Sequence, residues 1–172
     1  MLIRLVNLHD AYNHDSTEHN SMSPSMDTEL FRLLANSYRR LLGQPLVPEG
    51  MSGAEGAVWL YEAAPFGLLA HGTQADPVFM YGNRCAQAIF GYNWEEITAL
   101  PSRLSAQAPE RSERQAFLDS VTREGFVKDY RGIRITKSGQ RFWIERATVW
   151  QLIDDAGVLH GQAAMIPHIA AC

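Results

Sequence analysis

The last third of the chain consists of three long β-type segments joined by two short loops, and this run of adjacent strands restricts the fold more than any other feature. Segments 126–136, 140–153 and 158–169 are rich in β-branched and aromatic residues and are separated by KSG and DDAG. In each loop a glycine stands where a tight hairpin needs a positive φ. Connections this short join antiparallel neighbours, because a parallel pair needs a crossover of a dozen or more residues. Two earlier apolar runs, FGLLAHG at 66–72 and PVFMYGN at 77–83, flank the turn-like stretch 73–76 and read as another hairpin. Since the strands run together instead of alternating with crossover helices, the predicted class is α+β. It comprises a five-stranded antiparallel sheet with helices inserted between the second and third strands.

The helical segments complete that order. From residue 25 or 27 to 42, Leu30, Phe31, Leu33, Leu34, Tyr38, Leu41 and Leu42 recur at helical spacing and Gly43 follows as a C-cap. This amphipathic stripe can dock on its own domain or on a second copy of the chain. A second helix over 54–64 is expected to turn Val58, Trp59 and Tyr61 to a core. Short helical turns at 85–90 and 94–100 are separated by Gly91 and closed by Pro101, and 109–124 reads as a longer helix with Phe117, Leu118 and Val121 on its buried face. The expected organisation is a flexible arm at 1–25, N-terminal helices at 26–64 and a sheet domain at 65–170, a reasonable length for one principal core.

Charge and motifs narrow the function. A formal net charge of −4, with Arg39-Arg40 as the tightest basic pair on a helix, lacks the basic footprint of a nucleic-acid surface. Cys85 and Cys172 are the only cysteines, a usage that suits a reducing compartment, and Cys85 reads as a buried, small apolar residue. No stretch approaches the ~18 apolar residues of a membrane span, so a cytoplasmic location is expected. The arm carries His9, His14, Asp15, Glu18 and His19, but His14 and His19 are off the i,i+4 spacing that would set two imidazoles on one helix face, and no metal site is expected. GxSxG, GxxxxGK[ST], HExxH and CxxC are absent, and the polar strand residues Asp129, Arg131, Arg134, Glu145 and Arg146, which could make a charged active site, read more simply as cross-strand ion pairs on the solvent face. An enzyme is therefore not expected.

The segment PVFMYGNRCAQAIFGYNWEEI resembles the stretch of PAS domains in which the second strand ends in Asn before a short helix. Asn83, Gly91, Tyr92, Glu95 and Glu96 occupy the matching positions, and an Asn side chain there can cap the helix that follows. HGTQADPVFMYGNRCAQ, WEEITALPSRLSA, DYRGIRITKSGQRFWIERATVW and GQAAM are similar, in order, to the signature blocks of the MEKHLA family, over residues 28–168. That family is PAS-related and occurs alone or at the C-terminus of plant transcription factors.

The resemblance implies a PAS-like fold and a sensory or regulatory role. A ligand would sit between the concave sheet face and the helices. The candidate lining is Phe79, Tyr81, Phe90, Leu104, Phe117, Val121, Ile133, Ile135, Phe142, Ile144, Val149 and Met165, with Arg84 and Arg103 near the mouth as possible anion contacts or as ion-pair partners of Asp76, Glu95 or Glu96. These apolar residues can equally fill a core. Haem-binding relatives supply a histidine from the long helix, which here has none, leaving His71 or His160 as alternatives. A light-oxygen-voltage photoadduct needs a cysteine where this chain has Ser102; non-covalent flavin or another apolar ligand stays open. The expectation is a ligand-sensing or protein-interaction module signalling through the N-terminal helix, with a homodimer through residues 28–42 or the sheet. The alternatives are a small enzyme using the pocket and a homodimer without ligand.

Overall fold

The computed structural model describes residues 23–106 and 108–172. Residues 1–22 of the expected arm, with its histidines, lie outside these described residues, while its last residues are corrected: Pro24–Met26 form a 3-10 turn in which Ser25 is buried. The order is α1 (Thr28–Leu42), α2 (Gly53–Glu62), β1 (Gly67–His71), β2 (Phe79–Gly82), α3 (Arg84–Phe90), α4 (Trp94–Ile97), α5 (Ala108–Glu124), β3 (Phe126–Ile135), β4 (Arg141–Ile153), β5 (Leu159–Ile166) and β6 (His168–Ala171). The sheet is antiparallel throughout, in the order β2-β1-β5-β4-β3, and β6 pairs with β4. The fifth expected strand is thus two, interrupted at Pro167, which has no N–H to give to a ladder.

Each face of the sheet carries helices. On the outer face α1 lays its apolar stripe against β4: Leu34 and Tyr38 are buried, and Tyr38 packs edge-on to Trp150 with ring centroids 4.9 Å apart. The helix starts at Asp27, whose side chain accepts the Leu30 N–H at 2.8 Å, and stops at Gly43 in the left-handed region. Ser37 is the polar link in this contact. Its hydroxyl donates to the carbonyl of Leu33 at 2.6 Å and accepts the indole N–H of the fully buried Trp150 at 3.1 Å. Ser37→Ala leaves that N–H with no partner, so it is expected to cost about 1–3 kcal/mol, read as a lower urea midpoint at unchanged m-value.

Between α1 and the sheet edge sits α2, capped reciprocally by Ser52 and Glu55. Its buried residues are Gly56, Ala57, Leu60 and Tyr61, whereas Val58 is 41% exposed. The expected inward Val58 is thereby corrected: Gly56 lies where a Cβ would meet the Phe31 ring, and this close approach of α1 rotates the helix so that Val58 faces water. The outer core gathers Leu34, Tyr38, Leu60, Tyr61, Leu68, Tyr81, Trp150 and Leu152, while the inner core holds Leu69, Phe79, Phe90, Ile97, Phe142 and Ile144 beneath α3 and α4.

The β4–β5 hairpin is held by Asp154, whose carboxylate accepts the backbone N–H groups of Ala156 and Val158, each at 2.9 Å, and lies 2.8 Å from His160 Nε2. The His160 hydrogen bond first, and then the backbone donors, hold this carboxyl below its ordinary value. A carboxylate whose folded value is lowered stabilises the fold fully above about pH 4, its unfolded value, and loses that contribution as pH falls through the folded value. The melting-temperature gap between wild type and Asp154→Asn is expected to narrow as pH is lowered from 7 to 3 in a thermal denaturation series.

Candidate functional site

Side-chain alternation along β3 and β4 does not run straight through. Val127 pairs with Val149 and Tyr130 with Ala147, so β3 carries one extra residue there, with Asp129 at φ 55°. Gly132 then pairs with Ile144, so β4 carries the next extra residue, with Arg146 at φ 51°. Two β-bulges, one on each strand, each reverse the inward face of the strand that holds them. Beyond the bulges the inner face of β3 is Tyr130, Gly132 and Arg134, opposite Ile144 and Phe142 on β4.

Between this inner face and α5 lies a cavity of about 50 Å³. On the scale where one water needs about 10–15 Å³, it has room for a small molecule and not for a large one. Its wall is mainly apolar, from Leu69, Phe79, Phe90, Phe117, Ile144, Val149 and Ile166, but Ser105, Tyr130, Arg134, Gln162 and His71 also line it. The ladder explains the grouping. Leu69, Ala164 and Val149 form one inward row across β1, β5 and β4, and His71, Gln162 and Gln151 form the next.

Of the residues expected to line a pocket, Phe79, Phe90, Phe117, Ile144 and Val149 do so. Phe142 lies beside the cavity, with its ring 5.2 Å from Phe90, and Val121 is packed into the core without reaching the wall. Four expectations are corrected by register. Ile133 and Ile135 fall on the outer side of β3 because the bulge shifts its phase. Tyr81 pairs with Ala70 and packs against Tyr61 and Trp94 on the outer face, and Met165 pairs with Leu68 and joins the same core. Leu104, in the 3-10 turn Ser102–Ser105, is half-buried away from the cavity. Arg84 and Arg103 lie exposed outside the cavity and are not anion contacts of its wall: Arg103 takes the ion-pair alternative, on both oxygens of Asp76 at 3.0 and 3.2 Å, and Arg84 stands beside Glu62 at 3.5 Å, a partner not expected from the sequence.

Apart from His71, the polar groups of the wall are not in the lining expected from the sequence. Arg134 is only 7% exposed, where simple alternation puts it on the solvent face. Its Nη1 donates to the carbonyl of Ile133 at 2.7 Å and its Nη2 to the Tyr130 hydroxyl at 3.2 Å. Tyr130 is in turn stacked on Phe117, with centroids 3.9 Å apart. Gly132 makes this possible, since a Cβ there would lie 2.5 Å from the Tyr130 hydroxyl and 3.1 Å from Arg134 Nη1. His71 Nδ1 is 2.9 Å from the carbonyl of Gly72, an acceptor that fixes the proton on that nitrogen. Gln162 donates to the Thr122 hydroxyl at 3.2 Å, tying α5 to β5, and its Oε1 is buried with no partner among the described residues.

Among the described residues no group of three or more His, Cys, Asp or Glu side chains could hold a metal, and no helix is long and apolar enough to cross a membrane. Burial pushes the Cys85 thiol up, away from thiolate reactivity. Ser102 is buried, accepts a hydrogen bond from the Ser105 hydroxyl at 2.7 Å, and does not line the cavity. His160 lies on the Asp154 hairpin, also away from the cavity.

The arrangement of helices over one twisted sheet is shared with solved PAS-type domains. A PAS domain from Colwellia psychrerythraea is 15% identical, with a TM-score of 0.52 over 61% of this chain and 86% of that one. A light-oxygen-voltage domain from work on a flavin analogue is 14% identical, with a TM-score of 0.51 over 58% of this chain and 74% of that one. At such identities the likeness is one of fold. No curated protein matches the chain in sequence. The MEKHLA domain model does match, from residue 28 to residue 170, a span that takes in α1 as well as the sheet and its inserted helices, and the chain therefore belongs to the MEKHLA domain family, on a PAS-like fold.

Proposed function

We propose that this chain is a sensory module that binds a small molecule of mixed polarity in the cavity between its sheet and α5, and reports occupancy to α1. The observation that carries this reading is the wall itself. It is mainly apolar, yet it includes a buried guanidinium and a buried amide oxygen that lacks a partner among the described residues. Buried polar groups are normally satisfied, and a ligand is one way to satisfy them.

The route to α1 is short. Val149 faces the cavity, and its neighbour Trp150 faces the opposite way, holding Ser37 and Tyr38 of α1. A ligand that displaces β4 by a fraction of an ångström changes the seat of α1, and its leverage equals its difference in affinity for the two arrangements. Protein purified without denaturation is expected to carry a small non-covalent adduct in native mass spectrometry, whose removal lowers the melting temperature and speeds hydrogen exchange in α1. A clean mass together with no response of melting temperature to a library of small metabolites would overturn the reading.

A small enzyme is the rival reading, since His71 and Arg134 both line the cavity. It also needs an acid or a nucleophile, and among the described lining residues the candidates are Tyr130 and Ser105, whose hydroxyls accept from Arg134 and donate to Ser102 respectively. No carboxylate or thiol joins them there, which favours binding without turnover. Homodimerisation through residues 28–42 would have to use the polar side of α1, because the apolar stripe is spent on the sheet. Light scattering of the full chain tests it.

A further inference from the structure

We propose that the cavity takes the carboxylate of a short monocarboxylic acid, with Arg134 as its anchor; this rests on the ligand-sensing reading above and adds the chemical class.

Among the described residues, six other Lys and Arg side chains stand in ion pairs with carboxylates. Arg32 is paired with Glu29, Arg40 with Asp155, Arg84 with Glu62, Arg103 with Asp76, Arg131 with Glu145 and Lys137 with Glu96, and every one of these is substantially exposed. Arg134 is the reverse case. It is buried, and among the described residues no carboxylate pairs with it; its hydrogen bonds go to one carbonyl and one hydroxyl. A guanidinium has five N–H donors, and two of these are used. Burying a charge without its counter-charge opposes folding, so a protein that holds one against a cavity has the counter-charge still to come.

The geometry favours a carboxylate over other anions. The planar fork of an arginine matches the two oxygens of a carboxylate, and one guanidinium neutralises one such charge. A phosphate would call for further cations, and the described lining holds no lysine and no second arginine. The fork is held in place by the Tyr130 hydroxyl, itself fixed by stacking on Phe117 and admitted by the absence of a side chain at Gly132. The rest of the wall suits an alkyl tail, and a cavity of about 50 Å³ limits that tail to a few carbons.

The test is isothermal titration of the full, ligand-stripped chain with propanoate and butanoate, beside their neutral amides and inorganic phosphate, repeated on Arg134→Met and Arg134→Lys. The acids are expected to bind wild type at least about tenfold more tightly than the amides or phosphate. Arg134→Met should abolish that preference while melting at or above the temperature of ligand-free wild type, because it removes a buried charge that has no carboxylate beside it among the described residues. Arg134→Lys should keep the charge and weaken the acids by about tenfold. Equal binding of acids and amides, undiminished acid binding by Arg134→Met, or no binding by any of these compounds would each overturn the carboxylate assignment. In the first two outcomes ligand sensing itself still stands, and in the third it is decided separately by native mass spectrometry.

Discussion

Replacing Asn83 with alanine is expected to destabilise the fold by about 4 kcal/mol or more, among the largest effects of any single side chain in this chain. Asn83 is fully buried. Its Oδ1 accepts the N–H of Leu68 at 2.8 Å and of Ala86 at 3.0 Å, while its Nδ2 donates to the carbonyls of Leu60 at 3.1 Å and Phe66 at 2.9 Å. One amide thus joins the end of α2, the approach to β1, β1 itself and the start of α3. Removing it strands up to four backbone groups in a dry interior, at about 1–3 kcal/mol for each that finds no substitute. Domains of this size are commonly stable by about 5–15 kcal/mol, so equilibrium urea denaturation of Asn83→Ala should show a midpoint close to the start of the titration. Asn83→Asp should be no milder, because it turns the donor nitrogen into a second oxygen facing two carbonyls. A loss below about 1 kcal/mol in either variant would mean that the four contacts are not made.

Gly161→Ala is the second. Gly161 has φ 150°, and a Cβ built there would sit 1.9 Å from the carbonyl oxygen of His71 on the adjacent strand. The clash is with backbone, so no side chain can rotate out of the way; β1 and β5 must separate. Strain of this kind, with loss of the adjoining ladder, is expected to cost about 3–6 kcal/mol. Gly157 in the β4–β5 turn is the natural control. It has φ 79° with nothing within 4 Å of a built Cβ, so its alanine variant bears only the conformational penalty, about 1 kcal/mol. Because His71 and Gln162 pair across this point and both line the cavity, Gly161→Ala should also blunt any ligand-dependent rise in melting temperature. If chemical denaturation finds the two alanine variants equally stable, the close approach of β1 and β5 is absent.

These two positions differ in how they could be read. The role of Asn83 as a helix cap follows from its place after an apolar strand and before a short helix, and the structure bears out that contact at Ala86. Its bonds to Leu60, Phe66 and Leu68 join elements brought together only by folding. Arg134 shows the same limit more sharply. In sequence it alternates with Ile133 and Ile135 as a polar residue should on a solvent face, and Arg131 does take that role, paired with Glu145 and stacked on Trp143. Nothing in the periodicity announces that the extra residue near Asp129 reverses the phase. A non-glycine residue at positive φ is a property of the folded backbone, and Asp129 and Arg146 carry no turn motif that would locate the bulges.

The order of elements, the hairpins at KSG and DDAG, the amphipathic stripe of α1 and, through its motif blocks, the family can be read from the amino-acid chain alone. Local chemistry suffices for these, since turn residues, caps and hydrophobic period act over a few neighbouring positions. Folding settles which face of each strand looks into the cavity, that α1 docks on Trp150, and that Arg134 is buried with no carboxylate beside it among the described residues. The strand faces and the burial of Arg134 depend on register, where a shift of one position exchanges inside for outside, and the seat of α1 depends on a contact between residues far apart in sequence, Ser37 and Trp150.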